Sequence, residues 1–298
     1  MIKIWIQAAR LRTLPLSLAG IILAGLLAAA DGYFNWTIFI LSIITAILFQ
    51  VLSNFANDYG DGVKGTDNEN RIGPERALQS GQISPSQMKK AIVLTAVLSF
   101  VFALWLVLTA FGFEHWKIIL IYLLLGVASI VSAIKYTVGK RAYGYLGMGD
   151  LFVLIFFGFV SVIGGYYLYA QQADWTLIFP ALSIGFLSMG VLNLNNMRDL
   201  ASDKLSGKKT IPVKIGLENA KKYHVLLTIL PLFLAQAYNY HHYKSPWQWI
   251  FILPYILILK HTVKVLLVQN PKDFDPELKK LAIGTFLFAV FFGLGQVL

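Results

Sequence analysis

The sequence predicts an all-α membrane protein in which nine transmembrane helices surround a central cavity. Three observations support this fold class: the 298-residue chain is 57% hydrophobic and 13% charged, it contains nine long apolar runs, and its Lys and Arg residues are distributed asymmetrically around them. A soluble domain carries about 25% charged residues, so the water-facing surface of this chain is small. We expect one domain that covers residues 1–298.

Each of the nine apolar runs is close to the length of about 20 residues that a helix needs to cross a bilayer. The runs lie at roughly 14–30, 35–55, 90–110, 116–134, 149–169, 175–195, 223–240, 248–268 and 279–297. Because the number of spans is odd, the two termini are expected on opposite sides of the membrane.

The distribution of basic residues predicts the orientation. If the amino terminus is inside, all of the 25 Lys and Arg residues lie inside except Lys117 and Lys244. This asymmetry follows the positive-inside rule and supports both the helix count and a cytoplasmic amino terminus. Residues 1–30 also fit a secretory signal peptide, but removing them would put the charge-rich loops on the wrong face.

The composition excludes several kinds of site. The chain has no Cys, so disulfides and thiolate metal ligands are excluded. Its net charge of +10 requires no nucleic-acid partner, because the basic residues lie where membrane proteins normally keep them. The sequence contains no EF-hand loop, P-loop, zinc-binding His pair or nucleophile elbow.

Two polar segments follow directly on the second and sixth apolar runs, NFANDYGDGVKGTD at 54–67 and NLNNMRDLASDKLSGKKT at 193–210. If each helix continues into its segment, each presents oxygen ligands on one face. The aligned residues are Asn54, Asp58 and Asp61 in the first segment and Asn195, Asp199 and Asp203 in the second. Such carboxylates repel one another unless a cation lies among them, and Mg²⁺ binds carboxylate, phosphate and water oxygens. The segments therefore predict a Mg²⁺ site completed by substrate phosphates.

Basic residues alternate with these acids and provide donors for the diphosphate oxygens that a metal leaves exposed. They are Lys64, Arg71, Arg76, Arg198, Lys204, Lys208 and Lys209. The repeated Asn-x3-Asp spacing suggests paired halves that face one cavity. The alternative is two ordinary solvated loops in which acids balance the basic charge.

A third segment on the same side, KYTVGKRAYGYLGMGD at 135–150, contains the pair Tyr136 and Lys140. A Lys at this place would neutralise a leaving diphosphate, and an aromatic ring would stabilise a carbocation. Most Tyr and Lys residues here are also typical of helix ends anchored at the membrane interface.

The order of these motifs resembles the UbiA-type intramembrane prenyltransferase superfamily, and within it the 1,4-dihydroxy-2-naphthoate branch of menaquinone synthesis. The resemblance rests on ARLRTLPLSLAG, NDYGDGVKGTD, RIGPERALQSG, YGYLGMGDLFVLIFFGFVSVIGGYYL and NNMRDLASDKLSGKKTIPVKIG. It covers about residues 8 to 217. Ala201 and Ser202 stand where Glu-Thr is expected, and Lys140 stands where many members have Pro; neither departure removes a metal ligand.

The resemblance implies a reaction in which a polyprenyl diphosphate is ionised with the help of Mg²⁺ and the allylic cation is captured by the naphthoate ring, with loss of CO₂. It implies metal and diphosphate ligands, with Asp67 as an added metal ligand, and a bacterial cytoplasmic (inner) membrane location. The implied metal ligands are Asp58, Asp61, Asp67, Asp199 and Asp203. The implied substrate-binding residues are Asn54, Asn57, Asn195, Asn196, Lys64, Arg71, Arg76, Arg198, Lys204 and Lys209, with Tyr136 and Lys140 in catalytic roles.

Among the substrate-binding residues, Arg198, Lys140 and Lys209 are expected at the diphosphate, and Arg71 and Arg76 at the naphthoate carboxylate. The rival acceptors within the superfamily are 4-hydroxybenzoate, homogentisate and chlorophyllide. A CDP-alcohol phosphotransferase would carry a D-G-x2-A-R signature, which is absent. A transporter is the non-enzyme alternative. The acids lie at one face of the membrane instead of crossing its midplane, which argues against transport.

Overall fold

The computed structural model describes residues 2–65, 76–139 and 141–298, and over these ranges the chain forms helices without strands. The all-α prediction is therefore confirmed. Asp67, Arg71 and Lys140 lie outside the described residues. The α-helices are α1 (Ile2–Ala9), α2 (Leu14–Ala30), α3 (Trp36–Val63), α4 (Pro85–Phe111), α5 (Trp116–Lys135), α6 (Gly149–Val153), α7 (Gly165–Ala170), α8 (Ile178–Arg198), α9 (Leu200–Leu205), α10 (Ile211–Ile215), α11 (Leu217–His241), α12 (Ile252–Leu267) and α13 (Phe274–Val297).

A π-helix at Leu154–Gly164 joins α6 to α7 within one membrane span. Short 3₁₀-helices cover Leu11–Thr13, Tyr143–Leu146, Trp175–Leu177, Pro246–Trp249 and Pro271–Asp273. A π-helix is rare and often lies at a functional site. Here the segment contributes Phe156, Phe157 and Val160 to the wall of the cavity described below.

Eight helical segments in the described chain are long and apolar enough to cross a membrane. The ninth predicted span lies in α11, which has 25 residues and is long enough but more polar. Contacts at the two ends of the bundle show that α11 also runs between them. Arg198, before α11, pairs with Asp275 at the start of α13, whereas His242, just after α11, contacts Thr176 before α8. The polytopic class is therefore confirmed, with nine as an approximate count.

The two ends of the bundle differ in composition. One end holds Asp61, Asp199 and Asp203, and we call it the acidic end. The opposite end holds Asp31, whose carboxylate accepts a hydrogen bond from the Tyr166 hydroxyl at 2.8 Å. The Lys244 ammonium lies 3.9 Å from the same carboxylate.

The centre of the bundle is an apolar core. Leu23 and Leu27 of α2, Ile184 of α8, and Phe288 and Phe292 of α13 all have 0% exposure. Without a hydrophobic driving force between helices in lipid, such contacts depend on close packing. The core thereby fixes α2, α8 and α13 relative to one another.

Glycine permits the closest of these helix contacts. Gly158 of the π-helix faces Gly185 of α8, and a Cβ atom on Gly158 would lie 2.7 Å from the Ala181 carbonyl oxygen. Small residues of this kind let helix backbones approach in a membrane. The π-helix is thus held against the helix that carries the second acidic segment.

The two acidic segments differ in local structure. Helix α3 continues past its apolar part to Val63, so Asp58 and Asp61 are helical, as the sequence predicted. Helix α8 instead ends at Arg198, and Asp199 leaves the α-helical region with φ −94° and ψ 12°. Asp203 therefore lies on the separate short helix α9, and the expected continuous ladder of three residues on one helix is wrong for this segment.

Candidate active site

A cavity of about 600 Å³ runs from the acidic end toward the opposite end. Asp61 and Ser42 of α3 both line it, and a separation of nineteen residues corresponds to about 28 Å of helix. The lining is charged around Asp61 and apolar at Leu106, Val107 and Leu168, which lie toward the opposite end. This shape suits an amphiphile with an anionic head and a long apolar tail.

Both carboxylate oxygens of Asp61 accept hydrogen bonds from other segments of the chain. Its Oδ2 atom accepts a hydrogen bond from Arg76 Nη1 at 2.9 Å, and its Oδ1 atom accepts one from the Tyr145 hydroxyl at 2.9 Å. Arg76 Nη1 also donates to the carbonyl oxygen of Asn57 at 2.9 Å. Arg76 therefore orients Asp61 and the helix that carries it.

Tyr145 links the third polar segment to both acidic segments. The Lys64 ammonium lies 3.9 Å from the centre of its ring, and the Lys208 ammonium lies 4.9 Å from it. Cations are attracted to an aromatic face at such distances. The ring and hydroxyl of Tyr145 thus hold two lysines and Asp61 in one place.

The face of α3 that lines the cavity includes Asn57, whereas the sequence predicted a face that includes its neighbour Asp58. Asn54, Asn57 and Asp61 line the cavity, whereas Asp58 does not. Successive α-helical residues are separated by about 100°, so Asn57 and its neighbour Asp58 point in different directions. The Asn-x3-Asp spacing of Asn195 and Asp199 is therefore matched in the cavity by Asn57 and Asp61.

Arg198 holds the carboxylate of the second acidic segment. Its Nε atom donates to Asp199 Oδ1 at 2.9 Å and its Nη2 atom to Asp199 Oδ2 at 2.7 Å. The Nη2 atom also donates to Asn195 Oδ1 at 2.8 Å, and Nη1 donates to Asp275 Oδ1 at 2.5 Å. The Arg198 side chain is only 2% exposed. It thus binds acids of the protein itself, whereas the sequence predicted a diphosphate contact.

Lys208 lies between the two acidic segments. Its ammonium is 3.5 Å from Asp61 Oδ1 and 3.6 Å from Asp203 Oδ1. The pKa of Asp203 is raised to about 6, chiefly by burial and also by the neighbouring Asp199 and Asp61 carboxylates, while Lys208 opposes the shift. The lysine therefore offsets the repulsion between carboxylates that the fold brings together.

Replacing Lys208 by Met is expected to lower the thermal-unfolding midpoint of the purified protein by several degrees in the absence of divalent cations. The reason is that two buried carboxylates lose a shared cation. Adding Mg²⁺ and inorganic diphosphate is expected to reduce the difference in unfolding midpoint between Lys208→Met and the wild-type protein, because the metal supplies positive charge at the same place. Lys222→Met removes an exposed lysine of α11 and serves as the matched control. A Lys208→Met midpoint equal to that of the control would contradict this role.

An aromatic wall lies beside the acids. The ring centres of Tyr136 and Tyr143 are 5.3 Å apart in an edge-to-face arrangement, and those of Tyr143 and Phe152 are 3.9 Å apart and stacked. All three residues line the cavity. Burial strongly raises the pKa of Tyr136, so its hydroxyl stays protonated. The wall offers π-faces to a cation formed close to the acids.

The structure brings most of the predicted site residues to this cavity. Those that line it are Asn54, Asn57, Asp61, Arg76, Tyr136, Asn195, Asn196, Arg198, Asp199 and Asp203. Those described but absent from the lining are Asp58, Lys64, Lys204 and Lys209. Of these four, Lys64 still reaches the site through Tyr145.

Several residues in the cavity lacked an assigned role in the sequence analysis. Arg10, Arg12, Tyr145, Asp275 and Lys279 all line it. Arg10 and Arg12 belong to ARLRTLPLSLAG, one of the segments that carry the family resemblance, so the sequence could have indicated them as site residues. Asp275 and Lys279 belong to no motif, and only the folding of α13 against α8 brings them here.

The donor set fits a Mg²⁺ ion that is shared with a phosphate ligand. The acids of the two segments supply carboxylate oxygens, and Asp58 Oδ1 is buried with no hydrogen-bond partner among the described residues. Within the same part of the chain, no group of three His, Cys, Asp or Glu residues is arranged to hold a metal alone. Mg²⁺ typically binds through one or two carboxylates plus substrate phosphates, so this arrangement suits it.

Known proteins share both the sequence and the fold of this chain. A 1,4-dihydroxy-2-naphthoate octaprenyltransferase from Escherichia coli strain K12 is 42% identical over 291 residues, which cover 98% of this chain and 94% of that protein. The protein of the same name from Haemophilus influenzae is 38% identical over 299 residues, covering 100% of this chain and 96% of its own length.

Solved structures share the architecture at lower identity. A UbiA homolog from Archaeoglobus fulgidus, solved with DMAPP and Mg²⁺, superposes with a TM-score of 0.64 at 15% identity, covering 99% of both chains. A digeranylgeranylglyceryl phosphate synthase gives a TM-score of 0.63 at 20% identity, covering 99% of this chain and 98% of the other. Residues 18–294 match the UbiA prenyltransferase family. With this match and two full-length relatives above 30% identity, the chain belongs to the UbiA prenyltransferase family.

Proposed function

We propose that this protein transfers a polyprenyl group from polyprenyl diphosphate to 1,4-dihydroxy-2-naphthoate in a Mg²⁺-dependent reaction that releases diphosphate and CO₂ and gives demethylmenaquinol, the reduced form of demethylmenaquinone. The observation that carries the proposal is one cavity with paired acids at one end and an apolar tunnel at the other. The 42% identity to the Escherichia coli naphthoate octaprenyltransferase supports the choice of acceptor. The whole chain, residues 1–298, acts as a single transmembrane domain.

The diphosphate binds at the acidic end. Asp61, Asp199 and Asp203 would hold Mg²⁺ at this end, with Asp58 and Asp67 as additional candidate ligands, of which Asp58 lies outside the cavity lining. Mg²⁺ supplies charge stabilisation for the leaving diphosphate. Lys208 and Lys279 line the cavity as additional cations, and Lys279 forms no ion pair within residues 2–65, 76–139 and 141–298.

The prenyl chain occupies the apolar part of the cavity. The π-helix and α4 contribute walls of Phe156, Phe157, Leu106 and Val107. This environment binds an isoprenoid through burial of apolar surface, which contributes about 25 cal/mol for each Å² removed from water. The tunnel therefore aligns the first isoprene unit with the acids and with the aromatic wall.

The carbon–oxygen bond of the prenyl diphosphate breaks at this junction, and its electron pair leaves with the diphosphate. The rings of Tyr136, Tyr143 and Phe152 stabilise the allylic cation and keep water away from it. The naphthoate ring carbon that bears the carboxylate then uses a ring electron pair to form the new carbon–carbon bond to the cation. The bond to the carboxylate breaks, its electron pair returns to the ring, and CO₂ leaves.

Two arginines are suited to bind the naphthoate carboxylate. Arg76 was assigned this role from charge alone, and its Nη1 atom is already bonded to Asp61 and to the Asn57 carbonyl oxygen. Arg12 also lines the cavity, and it forms no ion pair with an acidic residue in the part of the chain that the structure describes. A guanidinium binds a carboxylate through two parallel hydrogen bonds, so Arg12 joins Arg71 and Arg76 as a candidate.

We place the protein in the bacterial cytoplasmic membrane with its amino terminus and acidic end in the cytoplasm. This orientation rests on the charge distribution, because it puts every Lys and Arg except Lys117 and Lys244 on the inner side of the membrane. Reporter fusions after Leu298 and within the 200–220 segment are expected to report opposite sides, with the second one cytoplasmic. The same side for both fusions would contradict the nine-span topology.

The proposed activity is tested by incubating the purified protein with Mg²⁺, a long-chain polyprenyl diphosphate and one aromatic acid at a time. Lipid-soluble prenylated product is expected from 1,4-dihydroxy-2-naphthoate and none when a chelator removes the metal. Product formation that survives chelation would contradict the Mg²⁺ requirement.

A further inference from the structure

The last transmembrane helix contributes a carboxylate to the active site. Asp275 lies in the first turn of α13 and lines the cavity. Its Oδ1 atom accepts a hydrogen bond from Arg198 Nη1 at 2.5 Å. Arg198 is buried, with its side chain 2% exposed, whereas that of Asp275 is 37% exposed. A buried guanidinium is therefore paired with a carboxylate that comes from a different span.

Arg198 transmits the position of Asp275 to the predicted metal ligand. The other nitrogen atoms of its guanidinium donate to both oxygens of Asp199 and to Asn195. The guanidinium is planar and rigid, so a hydrogen bond that fixes Nη1 also fixes the direction in which Nε and Nη2 donate. The Asp275–Arg198–Asp199 chain thus sets the plane of the Asp199 carboxylate.

The end of α13 that carries Asp275 is itself anchored. Glu277, two residues further on, has 0% exposure, and its carboxylate contacts His261 at 2.7 Å, Lys280 at 2.7 Å and Lys264 at 3.2 Å. His261 in turn lies 3.0 Å from His224 of α11. These contacts join the start of α13 to α12 and α11. Asp275 therefore projects from a fixed helix end.

We propose that Asp275 is a positioning residue for Mg²⁺ and diphosphate, acting through Arg198 on Asp199. Two physical effects of Asp275 both favour Mg²⁺ binding at Asp199. Asp275 orients the guanidinium that holds Asp199, and it shares the positive charge of Arg198, so less of that charge neutralises Asp199. Loss of the Asp275 charge leaves Asp199 as the stronger partner of Arg198 and a weaker partner for a metal.

This inference rests on the proposed Mg²⁺-dependent function and extends it to a residue outside both acidic segments. The competing interpretation is that Arg198 and Asp275 only tie α13 to α8. In that case, neutralising Asp275 lowers thermal stability by the same amount with and without Mg²⁺ and diphosphate, and leaves the Mg²⁺ requirement unchanged.

The experiment compares Asp275→Asn, Asp275→Glu and the matched control Asp273→Asn in the full-length purified protein. Asp273 is an exposed acid two residues earlier on the same helix end. The first readout is the Mg²⁺ concentration that gives half of the increase in thermal-unfolding midpoint in the presence of inorganic diphosphate. The second is the Mg²⁺ dependence of turnover at saturating substrates.

Asp275→Asn is expected to raise the required Mg²⁺ concentration about tenfold in both readouts, equivalent to about 1.4 kcal/mol. The KM for the aromatic acceptor is expected to stay unchanged, because the arginines proposed for its carboxylate, Arg12, Arg71 and Arg76, are not part of this pair. Asp275→Glu is expected to return the Mg²⁺ requirement toward the wild-type value, and Asp273→Asn is expected to leave it there. Asp275→Ser is the second neutral variant if Asp275→Asn does not accumulate.

The inference is overturned if the neutral Asp275 variants need the same Mg²⁺ concentration as the wild-type protein. It is also overturned if Asp273→Asn raises that concentration as much as Asp275→Asn does. The thermal readout separates this result from a failure of the proposed function. If the wild-type protein prenylates no naphthoate but shows the expected Mg²⁺ shifts with diphosphate, the acceptor assignment fails and the role of Asp275 stands.

Discussion

Asp61→Asn and Asp199→Asn are each expected to reduce turnover by a hundredfold or more while leaving folded protein in the membrane. Each substitution removes one negative charge from the group that holds Mg²⁺ against the diphosphate. A metal contributes several kcal/mol to stabilising charge in the transition state. With about 1.4 kcal/mol for each tenfold in rate, the loss of a charged ligand accounts for at least two powers of ten.

The readout is kcat at saturating Mg²⁺ and prenyl diphosphate, measured beside Asp273→Asn, which removes an exposed acid elsewhere at the same end. Asp58→Asn tests whether the functional face of α3 is the one predicted from the sequence, with Asp58, or the one that lines the cavity, with Asn57 and Asp61. Asp61 and Asn57 line the cavity and Asp58 does not, so we expect a smaller loss from Asp58→Asn than from Asp61→Asn. Near-normal turnover in either Asp61→Asn or Asp199→Asn would remove that acidic segment from the mechanism.

The second large effect is expected in the choice of acceptor. The enzyme is expected to use 1,4-dihydroxy-2-naphthoate with a kcat/KM roughly thirtyfold or more above that for 4-hydroxybenzoate. Burial of the second fused ring contributes about 2 kcal/mol, and 1.4 kcal/mol corresponds to a factor of ten. The two ring hydroxyls of the naphthoate also make its ring carbons electron-rich, so they capture a cation without a strong base.

Both acceptors are to be compared with the same polyprenyl diphosphate and the same enzyme preparation, so that donor binding and folding are common to the two measurements. Equal or faster prenylation of 4-hydroxybenzoate would contradict the naphthoate assignment and place the enzyme in the benzoate-using branch of the superfamily.

The fold was largely predictable from the sequence because lipid imposes a simple pattern. Each span needs about 20 apolar residues, and that requirement is visible in a single sequence. The limits of prediction appear in α8 and α9. Nothing in the letters NNMRDLASDKL shows that the helix breaks at Asp199, or that Arg198, beside the break, pairs with Asp275 of a distant helix.

The acidic residues of the site were predictable, but the partners of those residues were not. Spacing placed Asp61, Asp199 and Asp203 at the ends of two spans, and the structure brings them to one cavity. Spacing did not reveal that Arg198 would bind Asp199, or that Tyr145 and Lys208 would join the segments. The contacts of Tyr145 and Lys208 with Asp61 connect residues distant in sequence, so only the three-dimensional fold determines them.

The fate of the acceptor's carboxyl carbon distinguishes decarboxylating prenyl transfer from prenylation that leaves the carboxylate in place. The purified protein is given Mg²⁺, a long-chain polyprenyl diphosphate and 1,4-dihydroxy-2-naphthoate labelled in its carboxyl group. We predict that one labelled CO₂ is released for each molecule of lipid-soluble product formed. Label retained in that product would contradict the proposed reaction.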